Sequence, residues 1–215
     1  MTWQRARNKD QIEQRKQSLM EAASRLMDEV GFEKVSLRSI SKEVGITTAG
    51  TYRYFESKEA IYLELLTEDL TEWVNSLEKQ LAGYADSGDV ESVAAILAKS
   101  VKERPRMAVL LSILTSILEK NLTLETLAGY KRQFMELWLR LGNSIHVIFP
   151  PLTMEHVRSF LYQVIITMNG LWPIAHPSDI VREIHKQPEF APLELDFETE
   201  LQKYICVILK GLTTA

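Results

Sequence analysis

Almost every segment of this chain repeats its apolar residues every three or four positions, and no segment alternates at period two, so the sequence predicts an all-α fold. A first helix is expected over 12–30, with Leu19, Ala22, Ala23, Leu26, Met27 and Val30 on one stripe and Gly31 as its stop signal. Two short helices follow, 37–44 behind Ser36 as N-cap and 48–54 behind Thr47, separated by Gly45-Ile46-Thr47. A long helix is expected over 58–81, capped by Ser57, with Leu63, Leu66, Leu70, Trp73, Val74, Leu77 and Leu81 at three- and four-residue steps. Four more helices are predicted at 89–103, 106–119, 124–147 and 154–172, the last stopped by Pro173. The proline-rich stretch 173–195 predicts irregular backbone with one short helix at 179–186, and a last helix covers 197–212. The reading is of about nine helices.

Composition excludes several classes. With 46% hydrophobic and 25% charged residues, nine Gly and seven Pro in 215, the chain has a globular balance. The longest apolar-rich run, 107–118, is about 12 residues long and is interrupted by Ser112, Thr115 and Ser116, which predicts a buried helix and no membrane partner. The first residues carry Arg5, Arg7 and Lys9 with no apolar segment behind them, so no export signal is expected. Cys206 is the one cysteine, which precludes an internal disulfide and reads as a small apolar filler in a reducing, cytoplasmic setting. His146, His156, His176 and His185 lack metal-site spacing, and no nucleophile elbow occurs. The run from Gly45 to Gly50 has phosphate-loop spacing but is followed by Thr51-Tyr52 instead of Lys-Ser/Thr. The expectation is a non-enzyme without metal or cofactor.

Charge is distributed unevenly. The net charge is −4, yet residues 1–58 hold 11 Lys/Arg against 8 Asp/Glu, while 59–215 hold 14 against 21. A small basic module attached to an acidic body suits a nucleic-acid reader.

The segment 36–55 supplies the reading element. Leu37, Ile40, Val44 and Ile46 would pack two helices together, Ser41 is small where they cross, and Gly45 can take the positive φ of a sharp turn. The second helix would expose Thr48, Tyr52 and Arg53 on a rod narrow enough for the major groove. Residues 12–72 resemble the DNA-binding domain of the TetR family. The resemblance rests on Gly31-Phe32, on Val35-Ser36-Leu37-Arg38-Ser39-Ile40, on Val44-Gly45-Ile46-Thr47, and on the run Tyr52-Arg53-Tyr54-Phe55-Glu56-Ser57-Lys58-Glu59-Ala60-Ile61.

That resemblance implies a three-helix DNA-binding domain over 1–58, followed over 59–215 by a helical effector-binding and dimerisation domain. Ser36, Thr47, Tyr52 and Lys58 would hold phosphates, and Arg38, Thr48, Ala49 and Arg53 would approach base edges. The chain departs from the family at Thr48, where Lys is frequent, at Ala49-Gly50 in place of Gly-Thr, and at Thr51 in place of an apolar residue. The arm from Arg5 to Lys9 could offset the missing Lys at a neighbouring phosphate. A palindromic operator would be read by a homodimer whose two reading helices lie about 34 Å apart. Its interface is implied to be a four-helix bundle of the last two long helices, with Phe160, Val164, Gly170, Leu201, Tyr204, Ile205 and Ile208 as candidates.

The effector is expected to be a small hydrophobic or aromatic molecule held by Trp73, Phe134, Trp138, Met168, Asn169 and Trp172. The resulting expectation is a repressor released from its operator by that effector. The departure at Thr48 motivates the alternative, a helical small-molecule-binding protein that has lost DNA reading.

Overall fold

A computed structural model describes residues 2–213, with side chains from residue 9 onward, and among these every regular element is helical. The α-helices are α1 (Thr2–Val30), α2 (Leu37–Glu43), α3 (Thr48–Thr51), α4 (Lys58–Leu81), α5 (Val90–Lys102), α6 (Pro105–Ile113), α7 (Leu124–Ile148), α8 (Met154–Ala175), α9 (Asp179–His185) and α10 (Phe197–Thr213). Single 3-10 turns at Phe32–Lys34, Ala82–Tyr84, Leu118–Asn121 and Ala191–Leu193 complete the order.

Where these bounds depart from expectation, the reason is local. Helix α1 starts ten residues early because apolar periodicity marks the part of a helix that is buried, and residues 2–11 contain neither Gly nor Pro to end it. The side chains of Arg5 and Arg7, proposed as a basic arm, lie outside the described residues. Helix α3 is one turn long, and a hydrogen-bonded turn continues to Tyr54. Helix α6 stops at Ile113 rather than 119, and the chain tightens into the 3-10 turn at Leu118–Asn121. Pro173 does not stop α8. It stands in the last turn, where the one backbone bond it removes costs little cooperativity, and the amide of His176 still donates to the Trp172 carbonyl at 3.0 Å.

The described residues form two compact units. The first runs through Glu68 and takes in Leu114–Lys131; the second comprises Asp69–Ile113 and the chain from Arg132 onward. The unit that holds the helix-turn-helix therefore reaches past residue 58 and includes a distant segment. That segment is tied in by Thr123, whose amide donates to Glu56 Oε1 at 2.8 Å, and by the Ser57 hydroxyl, which donates to the Asn121 carbonyl at 3.3 Å.

In the first unit, Leu19, Ala22, Ala23 and Met27 of α1 are buried together with Phe32, Ile40, Phe55, Ile61 and Tyr62. The Tyr62 hydroxyl donates to the Ala23 carbonyl at 3.0 Å, and its ring meets Phe32 edge-on with centroids 5.0 Å apart. Burial raises this phenol above its ordinary range, so it stays a donor.

In the second unit, α10 packs on α5 and α8, and α8 packs on α6. Phe160, Leu201, Ile205 and Leu209 are fully enclosed, each contributing roughly 1.5–3 kcal/mol of burial free energy. Arg106 ties α6 to α4 by gripping Asp69 with two bonds, Nε to Oδ2 at 2.9 Å and Nη2 to Oδ1 at 2.5 Å. The Asp69 side chain is only 13% exposed, so this bidentate pair has a partly dry setting. Asp69→Asn, which leaves one guanidinium donor facing an amide, is expected to lower unfolding free energy by about 1–2 kcal/mol in urea titrations.

Candidate nucleic-acid interface and ligand cavity

The corner between α2 and α3 is built by backbone geometry. Gly45 has φ +73°, the amide of Ile46 donates to the Ser41 carbonyl at 3.0 Å, and the Gly45 amide donates to the Lys42 carbonyl at 3.1 Å. This pair of crossed bonds ends α2 in the left-handed cap that glycine accommodates without a Cβ penalty. Each helix then has its own N-cap. Ser36 Oγ accepts from the Ser39 amide at 3.1 Å while Ser39 Oγ accepts from the Ser36 amide at 3.0 Å. Thr47 Oγ1 accepts from the Gly50 amide at 3.0 Å.

Two departures from the family pattern explain themselves in this geometry. A Cβ at position 50 would lie 3.2 Å from Thr47 Oγ1, so Gly50 leaves room for the capping hydroxyl. Thr51 is fully buried, and its Oγ1 lies 2.7 Å from the Oγ of Ser41, which itself donates to the Leu37 carbonyl at 2.6 Å. Two departures from an apolar crossing thus satisfy one another. Sequence reasoning found Ser41 for its size but missed this pairing; the signal was a second hydroxyl ten residues on.

Around this corner Ser36, Arg38, Thr47, Ala49, Tyr52 and Arg53 are exposed and Thr48 is half-buried, all within the first unit. Lys58 is not part of that exposed group. Its Nζ donates to the carbonyls of Val35 at 2.8 Å and Phe32 at 3.2 Å and sits 4.3 Å from the Phe32 ring centroid. Lys58, expected to hold a phosphate, is engaged internally: its ammonium closes the loop between α1 and α2 onto the start of α4. A neighbour that sequence reasoning missed is Glu56. Accepting the Thr123 amide holds its carboxyl below the usual carboxylate range, so this contribution is present at neutral pH and is lost as pH falls through the depressed value.

The second unit holds a small cavity of about 30 Å³ between α4, α5, α6, α7 and α8. Trp73, Phe134, Trp138 and Met168 line it, as the sequence suggested. Asn169 and Trp172 do not: Trp172 is stacked on His176 at 3.9 Å and meets Phe197 edge-on at 4.8 Å, toward the end of α8. Leu111, Leu137, Leu161 and Val164 also contribute, and the whole lining is apolar. The indole N–H of Trp73 donates to Ser100 Oγ at 2.8 Å, and Ser100 donates onward to the Leu97 carbonyl at 2.7 Å, so the polar atoms behind the wall are already satisfied. Their helical spacing on α7 and α8 was legible; which of them face the void was not.

The candidate dimer residues divide. Phe160, Val164, Leu201 and Ile205 are buried within the protomer, which removes them from any surface a second copy could touch. They sit on the stripes that bring α8 and α10 onto the rest of their own unit. Tyr204 is 44% exposed, Ile208 is half-buried and Gly170 is exposed with nothing within 4 Å of an added Cβ. Beside them Tyr162, Ile166 and Val207 stand in solvent, at 52%, 68% and 69% exposure, and sequence reasoning passed them over because they fall between the stronger stripes.

Comparison with known proteins follows this division. The profile of tetracyclin repressor-like C-terminal domains matches residues 67–215, and that of bacterial regulatory proteins of the tetR family matches 19–65. An HTH-type transcriptional regulator of Staphylococcus aureus is 33% identical over 86 residues, covering 40% of this chain and 46% of the relative. The match thus spans about half the length of that relative. Among solved structures, Thermus thermophilus FadR in complex with lauroyl-CoA has TM-score 0.58 at 16% identity, covering 92% of this chain and 94% of the other. Bacillus subtilis FadR in complex with stearoyl-CoA has TM-score 0.53 at 16% identity, covering 90% and 96%. At such identities the likeness concerns the fold.

The corner makes two predictions. Gly45→Ala, forced into the left-handed region, is expected to lose about 1–2 kcal/mol of stability in chemical denaturation. Thr51→Val should cost about 1 kcal/mol, and adding Ser41→Ala should recover part of that loss; strict additivity in the double-mutant cycle would show that the two hydroxyls are not coupled.

Proposed function

The chain belongs to the TetR family of bacterial regulatory proteins, and from that premise we propose that it is a DNA-binding transcriptional repressor, active in the cytoplasm and released from a palindromic operator by an apolar effector. The observation that carries this reading is the capped, glycine-turned corner, which buries Ile40, Ser41 and Thr51 while leaving Arg38, Ala49, Tyr52 and Arg53 exposed around one short helix. Ser36, Thr47 and Tyr52 act on phosphates through hydroxyls and the amides at the starts of α2 and α3. Arg38 and Arg53 act on base edges, where a guanidinium matches guanine O6 and N7, and Thr48 and Ala49 make close apolar or hydroxyl contacts.

Two copies associate through the exposed faces of α8 and α10, with Tyr162, Ile166, Tyr204 and Val207 as apolar contacts and Gly170 as the point of close approach. The cavity suits an effector with a long or aromatic apolar body, since its wall is apolar and offers no charged group. The fatty acyl-CoA complexes of the two FadR neighbours support an acyl chain as the occupant. Ligand in the cavity shifts the balance of protomer geometries, and operator affinity falls with it.

The first test is selection of bound sequences from a random duplex library by purified protein at near-physiological salt. Enrichment of a palindrome is expected, and Arg53→Ala should flatten base preference at one position of each half-site by about 1–3 kcal/mol. No enrichment, with or without lauroyl-CoA, would favour the ligand-binding protein that has lost DNA reading, which the internal engagement of Lys58 and the Thr at position 48 also motivate. In a second test, Ile166→Glu with Val207→Glu is expected to convert dimer to monomer in light scattering and to abolish palindrome binding while each protomer remains helical. A third test adds lauroyl-CoA to the operator complex. Release is expected for wild type and not for Leu111→Trp, whose indole fills the cavity.

A further inference from the structure

A second cleft, of about 220 Å³, opens where the end of α8, the helix α9 and the segment leading to α10 meet, and it shares no lining residue with the apolar cavity. Its wall carries Arg182 and His185 from α9, Lys186 as the residue that caps it and His176 as the residue that follows α8, against one carboxylate, Glu194. Arg182 and Lys186 stand one helical turn apart, so both cations serve the same face of α9. Each is held by a carboxylate on its own helix, Arg182 by Asp179 and Lys186 by Glu183 at 2.6 Å. Both pairs are solvent-exposed three-residue neighbours, the kind whose net worth is close to zero, so an incoming anion exchanges for them at little cost.

His176 is pre-oriented. Its ring stacks on Trp172 at 3.9 Å, and its Nδ1 lies 3.0 Å from the Trp172 carbonyl, an oxygen that only accepts. Nδ1 therefore bears a hydrogen, and Nε2 of the neutral ring is left as an acceptor for a ligand's hydroxyl. The opposite part of the wall is apolar, from Ile174, Pro177 and Leu195.

We propose that this cleft is a binding site for a small, soluble organic phosphate monoester, its phosphate taken by Arg182 and Lys186 beside the two imidazoles and its apolar body lying against Ile174, Pro177 and Leu195. A dianion with three terminal oxygens matches one planar guanidinium fork and one ammonium better than a carboxylate does. The cleft is also far larger than inorganic phosphate requires, and its apolar side gives the organic body a place out of water. The site is independent of DNA reading and of the effector cavity.

Phenyl phosphate is the probe, titrated into the full-length protein while the imidazole ring protons are followed by NMR; the chain has four histidines, assigned by single substitution. Saturable shifts confined to His176 and His185 are expected, with His146 and His156 unmoved. Arg182→Gln with Lys186→Gln should weaken binding about tenfold or more, and Arg182→Lys, which keeps the charge and loses the fork, should fall between. Both positions are solvent-exposed, so unchanged circular dichroism is expected in each variant. Absence of saturable shifts, or shifts that survive the double substitution, would overturn the site. Equal affinity for inorganic phosphate would overturn the role of the apolar wall, and equal affinity for benzoate would overturn the choice of phosphate.

Discussion

The reading corner depends on one backbone constraint, the positive φ at Gly45, which lets Ile46 and Gly45 return their amides to the last turn of α2. That closure decides the angle at which α3 leaves, and with it which side chains of α3 meet α2 and which meet solvent. The buried Ser41 and Thr51 hydroxyls can pair at 2.7 Å only because the helices cross there. Gly50 is likewise a consequence, since the capping Thr47 hydroxyl occupies the space a side chain would need. Three residues that look like weak points by propensity are parts of one mutually consistent turn.

The same logic of satisfied polar groups governs the larger unit. Its cavity is dry in character because the Trp73 indole and the Ser100 hydroxyl consume each other's hydrogen-bonding capacity and that of the Leu97 carbonyl. An occupant is then selected by shape and apolar area, and any charged part of it must remain outside. Charge is placed elsewhere in this unit, along α9 and across the surface pairs Lys210–Glu91 and Lys102–Glu198, where water bears most of the solvation.

Lys58 illustrates how a residue at a family position can be engaged inside its own unit. On the sequence it is a cation at the start of a helix beside a DNA-reading element. In the fold its ammonium satisfies two carbonyls left by the turn after α1 and rests against the Phe32 ring, so it fixes α4 to the reading head. Glu56, unremarkable in sequence, does the comparable work on the other side by capping the approach to α7 through the Thr123 amide.

The sequence by itself determined the helical class, the stops at Gly31 and Gly45, the caps at Ser36, Thr47 and Ser57, and the apolar stripe of α4, every member of which is buried. These are local matters: capping, left-handed turns and a 3.6-residue period depend on neighbours within one or two helical turns. Tertiary structure decided the rest. It determined that Phe160, Val164, Leu201 and Ile205 are internal while Ile166 and Val207 are not, and that Trp172 packs on Phe197 instead of the cavity. A period tells which residues share a helix face, but several broad apolar faces compete for the same core, and only the packing of whole helices against one another chooses which face is covered and which is left to water.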